Sequence, residues 1–131
     1  MKRGKSDNRL VPVWQGTVPD HCVSVGWSAD GRLVAAAAVG GPVVVFDAAS
    51  GKVLHTLPGH GFGTAALAWQ PGGHLLATAG QDGNARLWNA AAGTEAAALA
   101  GGAAWVERLA WSADGKHLAT AAGKRVRVWD A

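Results

Sequence analysis

The sequence predicts an all-β chain of three four-stranded antiparallel sheets, and three observations carry that prediction. Trp27, Trp69 and Trp111 recur at a spacing of 42 residues. In the same frame Phe46 falls on Trp88 and, with one residue deleted, on Trp129. A period of about 40 to 45 residues that closes on an aromatic, often followed by Asp, is that of a four-stranded blade. The third observation is the punctuation between apolar runs: Asp30-Gly31, Gly40-Gly41-Pro42, Pro71-Gly72-Gly73, Asp82-Gly83 and Asp114-Gly115. Gly accepts positive φ there and Asp bonds its own backbone, so each is a turn with a mechanism.

Taken in order, residues 1–8 are polar and aperiodic and are expected to form a disordered basic tail. Residues 9–131 form one three-blade unit. The run 10–15 alternates like a strand, and Pro12 assigns it to an edge. Counting back twelve residues from Trp27, Trp69 and Trp111 sets Gln15 beside Leu57 and Leu99. The run 10–15 therefore corresponds to 52–57 and 94–99, each the fourth strand of its repeat. The first blade spans 22–57, with strands 22–27, 32–37, 43–46 and 52–57. The second spans 64–99, with strands 64–69, 74–79, 85–88 and 94–99. The third spans 106–129, with strands 106–111, 116–121 and 125–129, and it lacks an outer strand of its own. The first strand without a blade and the last blade without an outer strand are complementary pieces of one sheet.

Composition narrows the function. Hydrophobic residues make up 49% and charged residues 16% of the 131, a globular composition. The formal charge of +3 lies entirely in the first nine residues, where Lys2, Arg3, Lys5 and Arg9 face only Asp7. A body with equal numbers of both signs offers no broad phosphate-binding face, so no nucleic-acid partner is expected. Cys22 is the single cysteine, which excludes an intrachain disulfide and a cysteine-based metal cluster; it is expected as a small buried hydrophobe. No apolar run is long enough for a membrane helix, and no apolar segment follows the basic start, so a cytoplasmic location without membrane partner is expected.

With the 42-residue repeat laid out, the chain resembles the WD-repeat β-propeller family over nearly all of its length from Leu10. The resemblance implies a hydrogen-bonded relay in each blade, made by a Gly-His before the first strand, a Ser or Thr in the second, an Asp in the turn after it and the closing Trp. Repeat two matches at His60, Thr78, Asp82 and Trp88. Repeat one has Val18, Ala36, Gly40 and Phe46 at these positions, so its relay is replaced by an apolar slot. Repeat three keeps Thr120 and Trp129 but has Gly102 for the His and no Asp in its Gly123-Lys124 turn. Water or backbone is expected to satisfy Thr120 and the Trp129 indole.

Catalytic and metal chemistry find little support. His60, Thr78 and Asp82 contain the groups of a nucleophilic triad. The resemblance, however, stacks them inside a blade with the hydroxyl against an indole, so no catalytic residue is assigned and no enzyme activity is expected. The remaining histidines, His21, His55, His74 and His117, lack metal-ligand spacing, and no glycine run leads into a phosphate-cradling helix, so neither metal nor cofactor is expected. Five of the seven Trp residues, Trp27, Trp69, Trp111, Trp88 and Trp129, fall on periodic strand positions and are expected in blade core. Trp105 precedes its strand, on a loop that the resemblance places at the upper rim. With His21, Phe62, Gln81 and Lys124 it forms a candidate binding rim for a protein or peptide. Glu107 and Arg108, near the inner strand of blade three, are the candidates for the channel; a ring with a small-ligand or catalytic pocket would need them.

Single-chain propellers have four to eight blades, and three leave open edges that invite another chain. Leu10, Val11 and Val13 on the first strand and Val126 and Val128 on the last are the candidate assembly edge. Head-to-tail exchange of strand 10–15 closes six blades as a homodimer, the first choice, or nine as a homotrimer. The alternative expectation is an excised or split piece of a longer WD-repeat regulatory protein. Either way, the resemblance implies an interaction scaffold.

Overall fold

The structure, a computed structural model, describes residues 10–102 and 104–131; the basic tail expected over 1–8 lies outside them. Among the described residues, eleven strands form three antiparallel sheets. The first sheet contains β1 (Cys22–Trp27), β2 (Leu33–Ala38), β3 (Val43–Asp47) and β4 (Val53–Leu57), in that spatial order. The second contains β5 (Thr64–Trp69), β6 (Leu75–Gly80), β7 (Asn84–Asn89) and β8 (Thr94–Ala100), likewise in order. The third has three strands, β9 (Val106–Trp111), β10 (His117–Ala122) and β11 (Arg125–Asp130).

Local chemistry explains the repetition. In the β1–β2 turn Ser28 donates its hydroxyl to Asp30 at 2.7 Å, and the Arg32 N–H donates to the same carboxylate oxygen at 3.0 Å. The Leu33 N–H closes back onto the Ser28 hydroxyl at 3.0 Å. Blade three repeats the arrangement with Ser112, Asp114, Lys116 and His117. The Arg32 N–H and the Ser28 hydroxyl hold Asp30 below the usual carboxylate range. Fixing each turn fixes the register of the strands it joins, and with it which side chains share a face.

The sheets pack face to face, and alanines let them approach. Ala35, Ala37, Val43 and Val45 of blade one are fully buried against Leu67, Trp69, Leu76 and Trp88 of blade two. Ala77, Ala79, Ala85 and Leu87 take the same part between blades two and three. Two indoles tie the joints. Trp69 Nε1 donates to the Gly26 carbonyl at 2.9 Å and Trp111 Nε1 to the Ala68 carbonyl at 3.0 Å, each donor and acceptor displaced by 42 residues from the other.

Three sequence expectations are corrected. Residues 10–15 form no strand, because within one chain no preceding sheet is present to pair with them. Instead the segment lies on the outer face of blade one: the Trp14 ring stands 5.4 Å from that of Phe46, and its Nε1 donates to the Ala48 carbonyl at 2.7 Å. Trp14 and Val18 cover Val34, Ala36, Val44 and Phe46. Cys22 is exposed rather than buried, since β1 opens toward the same missing neighbour. Trp27 is exposed for the same reason, although its repeat partners Trp69 and Trp111 are half-buried.

Candidate functional site

The relay is built by two strands, a loop and a turn of blade two. The loop before β5 supplies His60, β6 supplies Thr78, the β6–β7 turn supplies Asp82, and β7 supplies Trp88. Trp88 Nε1 donates to Thr78 Oγ1 at 2.8 Å, and Thr78 Oγ1 lies 2.7 Å from His60 Nε2. His60 Nδ1 lies 2.9 Å from Asp82 Oδ1. With the imidazole neutral, the donor inventory leaves one assignment: the hydroxyl accepts from the indole and donates to Nε2, and the ring donates from Nδ1 to the carboxylate. Burial lowers the His60 pKa, against the Asp82 hydrogen bond and charge that raise it, and keeps the ring neutral. Burial alone would raise Asp82, but the hydrogen bonds from His60, the Asn84 N–H and Arg86 outweigh it and hold the carboxyl below its usual range.

Two partners of this relay escaped the sequence reading. Arg86 spans the outer side of the turn, 3.2 Å from Asp82 Oδ2 and 2.7 Å from Glu95 Oε1. Its position four residues after Asp82 was the available signal. Gly80 provides the seat of the imidazole, since any Cβ there would collide with the His60 ring. In blade three, Trp129 Nε1 donates to Thr120 Oγ1 at 3.1 Å, so the two surviving relay residues bond each other. In blade one the apolar slot of Ala36 and Phe46 is filled from outside by Trp14 and Val18.

The relay hydroxyl is closed off from solvent. Thr78 is fully buried and its hydroxyl is shared between an indole and an imidazole. Among the described residues no three His, Cys, Asp or Glu side chains gather around a possible metal. No helix among them is long and apolar enough to cross a membrane.

The rim candidates occupy connecting loops. Phe62 and Trp105 are exposed large hydrophobics, and Phe62 holds a φ of 71°, a strained conformation for an aromatic residue. His21 and Lys124 are exposed, while Gln81 is half-buried against Gly63. Lys124 borders an open hollow with Gly101, Gly102 and Ala104. Glu107 and Arg108 are both exposed and form no ion pair with each other among the described residues. Arg108 instead borders a shallow groove with Ala119, Ala121 and Val126 on the outer face of blade three. Of the candidate edge residues, Leu10, Val11 and Val13 project from the N-terminal segment, and Val126 and Val128 lie on β11; all five are exposed.

Stacked four-stranded blades, indole ties between them and a His-Thr-Asp-Trp relay within one define a WD-repeat fold. The family model of the WD domain, G-beta repeat, matches residues 51–89 and 93–130, and the chain belongs to that family. It is similar to a chain in the crystal structure of a mitotic checkpoint complex, with 28% identity and a TM-score of 0.77. The likeness covers 90% of this chain and 36% of that one, so the present chain spans about a third of its structural relative. No curated protein sequence matches it. WD-repeat propellers generally bind other proteins and are typically non-enzymatic.

Proposed function

We propose that this chain is a non-enzymatic, cytoplasmic interaction scaffold: half of a propeller that assembles with a second copy into a six-bladed ring and presents its rim to a protein or peptide. The observation that carries the reading is the seat of Trp14. Its ring packs on Gly51, and the ring of His55, on the outer strand β4, packs on Gly93. The two glycines are 42 residues apart, with φ values of 77° and 75°, and either Cβ would strike the ring above it. His55 Nε2 lies 2.9 Å from the Ala91 carbonyl, as Trp14 Nε1 lies 2.7 Å from that of Ala48. The N-terminal segment thus lies on blade one much as the outer strand of blade one lies on blade two, although the 42-residue frame sets Trp14 beside Thr56 and the match is one of place, one residue out of register. It occupies the place of an outer strand whose sheet is missing, while β11 is a sheet edge whose outer strand is missing.

Exchange between two copies satisfies both, with main-chain hydrogen bonds from the segment to β11. Six blades fall within the usual range for closure and nine, from three copies, do not. Leu10 and Val11 are exposed in the single chain, so replacing both with Asp leaves the blades intact. The double variant is expected to remain folded and lose assembly, measured by light scattering; an oligomer that survives it refutes strand exchange. The one-third coverage of the checkpoint-complex chain favours a second reading, in which blades of a longer or different polypeptide stand in for the second copy. A folded monomer at high concentration would select it.

A further inference from the structure

We infer that the ring joint is a third copy of the internal indole tie, in which Trp27 of one subunit donates to the Ala110 carbonyl of the next. This inference rests on the assembly reading and specifies its contact. Shifting the acceptors Gly26 and Ala68 by a further 42 residues gives Ala110; shifting the donors Trp111 and Trp69 back gives Trp27. Among the described residues the Trp27 indole has no hydrogen-bond partner, and the residue is 64% exposed. Ala110 is exposed and lines the groove on the outer face of blade three. Donor and acceptor of the next tie are thus both present and both open.

The surrounding surfaces match in the same frame. Val25 and Trp27 are the repeat equivalents of Leu67 and Trp69, which pack on Ala35, Ala37, Val43 and Val45. The equivalents of those four are Ala119, Ala121, Val126 and Val128 on the outer face of blade three. Val25, Val126 and Val128 are 66%, 71% and 67% exposed, whereas Val43 and Val45 are completely buried. An exposed apolar face that repeats two buried interfaces of the same chain fits the partner those interfaces take, the first-strand side of a WD blade. A second copy of this chain supplies it. Trp14 and Val18 already cover the outer part of the receiving face on blade one. They leave open a groove beside Val25 and Cys22, on the side that faces the incoming blade.

The test compares the dissociation of wild type, Trp27→Ala and Ala110→Asp by dilution in analytical ultracentrifugation. Both positions are exposed in the single chain, and circular dichroism checks that both variants stay folded. The truncated indole is expected to weaken assembly about thirtyfold or more, as for a buried aromatic anchor. A carboxylate placed against the incoming ring has a similar or larger effect. In 15N spectra the Trp27 indole N–H is expected to become protected from exchange in the oligomer. A wild-type oligomer indifferent to both substitutions overturns this tie and leaves assembly standing. A wild-type monomer at the highest soluble concentration overturns both, assigning the face to an occupant other than a second copy.

Discussion

Trp69 of the second blade donates its indole N–H to the Gly26 carbonyl of the first at 2.9 Å, across the joint between two sheets. Gly26 leaves the space: a Cβ there would lie 3.2 Å from Leu67 Cδ1 and 3.4 Å from Trp69 Cδ1. Trp69→Phe is expected to destabilise the chain by about 1–2 kcal/mol, by losing one hydrogen bond and leaving the joint underfilled. Urea denaturation followed by circular dichroism checks the value. An unchanged midpoint would show that apolar packing alone holds the joint.

The relay of blade two predicts non-additive losses. Thr78→Val leaves the Trp88 N–H and His60 Nε2 without their partner in a buried site and is expected to cost about 1–3 kcal/mol. Removing the relay as a unit, with His60→Val, Thr78→Ala and Trp88→Phe together, approaches the apolar slot that blade one has with Val18, Ala36 and Phe46. The triple variant is expected to lose less than the sum of its three single changes, as coupled sites do. Additive losses in denaturant titrations would contradict a connected relay.

Gly80→Ala tests the seat beneath the imidazole. Its Cβ would meet the His60 ring, so the ring must move away from Asp82 and Thr78. The expected loss is about 1–3 kcal/mol, matching overpacking of a tight site. A chemical-shift change at the His60 ring and the Trp88 indole N–H in the folded protein would report the displaced relay; unchanged shifts would count against it.

Acid weakens the fold, with a sign fixed by His60. Its folded-state pKa lies below the ordinary 6.5, so the unfolded chain takes the proton first. Stability from the neutral ring is therefore fully present above 6.5 and declines as the pH falls through that value. Asp82, held below 3.8, adds a contribution that is present above 3.8 and lost as pH falls through its lower folded value. Melting temperatures measured between about pH 7.5 and 5.5 are expected to fall in wild type and to flatten in His60→Asn. An equal slope in both would assign the acid response elsewhere.

The blade interiors were legible in the sequence because a 42-residue shift superposes strands, turns and aromatics at once. His60, Thr78, Asp82 and Trp88 could be located by their offsets within one repeat. What periodicity could not convey is whether a face has a neighbour. Trp27, Trp69 and Trp111 occupy one repeat position, yet the last two meet a preceding blade within the chain and Trp27 does not. Cys22 and the segment carrying Trp14 depart from expectation for the same reason. The seat of His60 on Gly80 and the Arg86 bridge from Asp82 to Glu95 depend on three-dimensional approach across strands. Residue type alone does not encode that approach.

In the proposed ring, the open ends of this chain are two halves of one joint. The mass of the wild-type protein in solution, measured by light scattering across a concentration series, tests it most directly. A discrete species of twice the 13.3 kDa chain mass is expected. A species of three chain masses would contradict the six-bladed ring, and a monomer at every concentration would contradict self-assembly altogether.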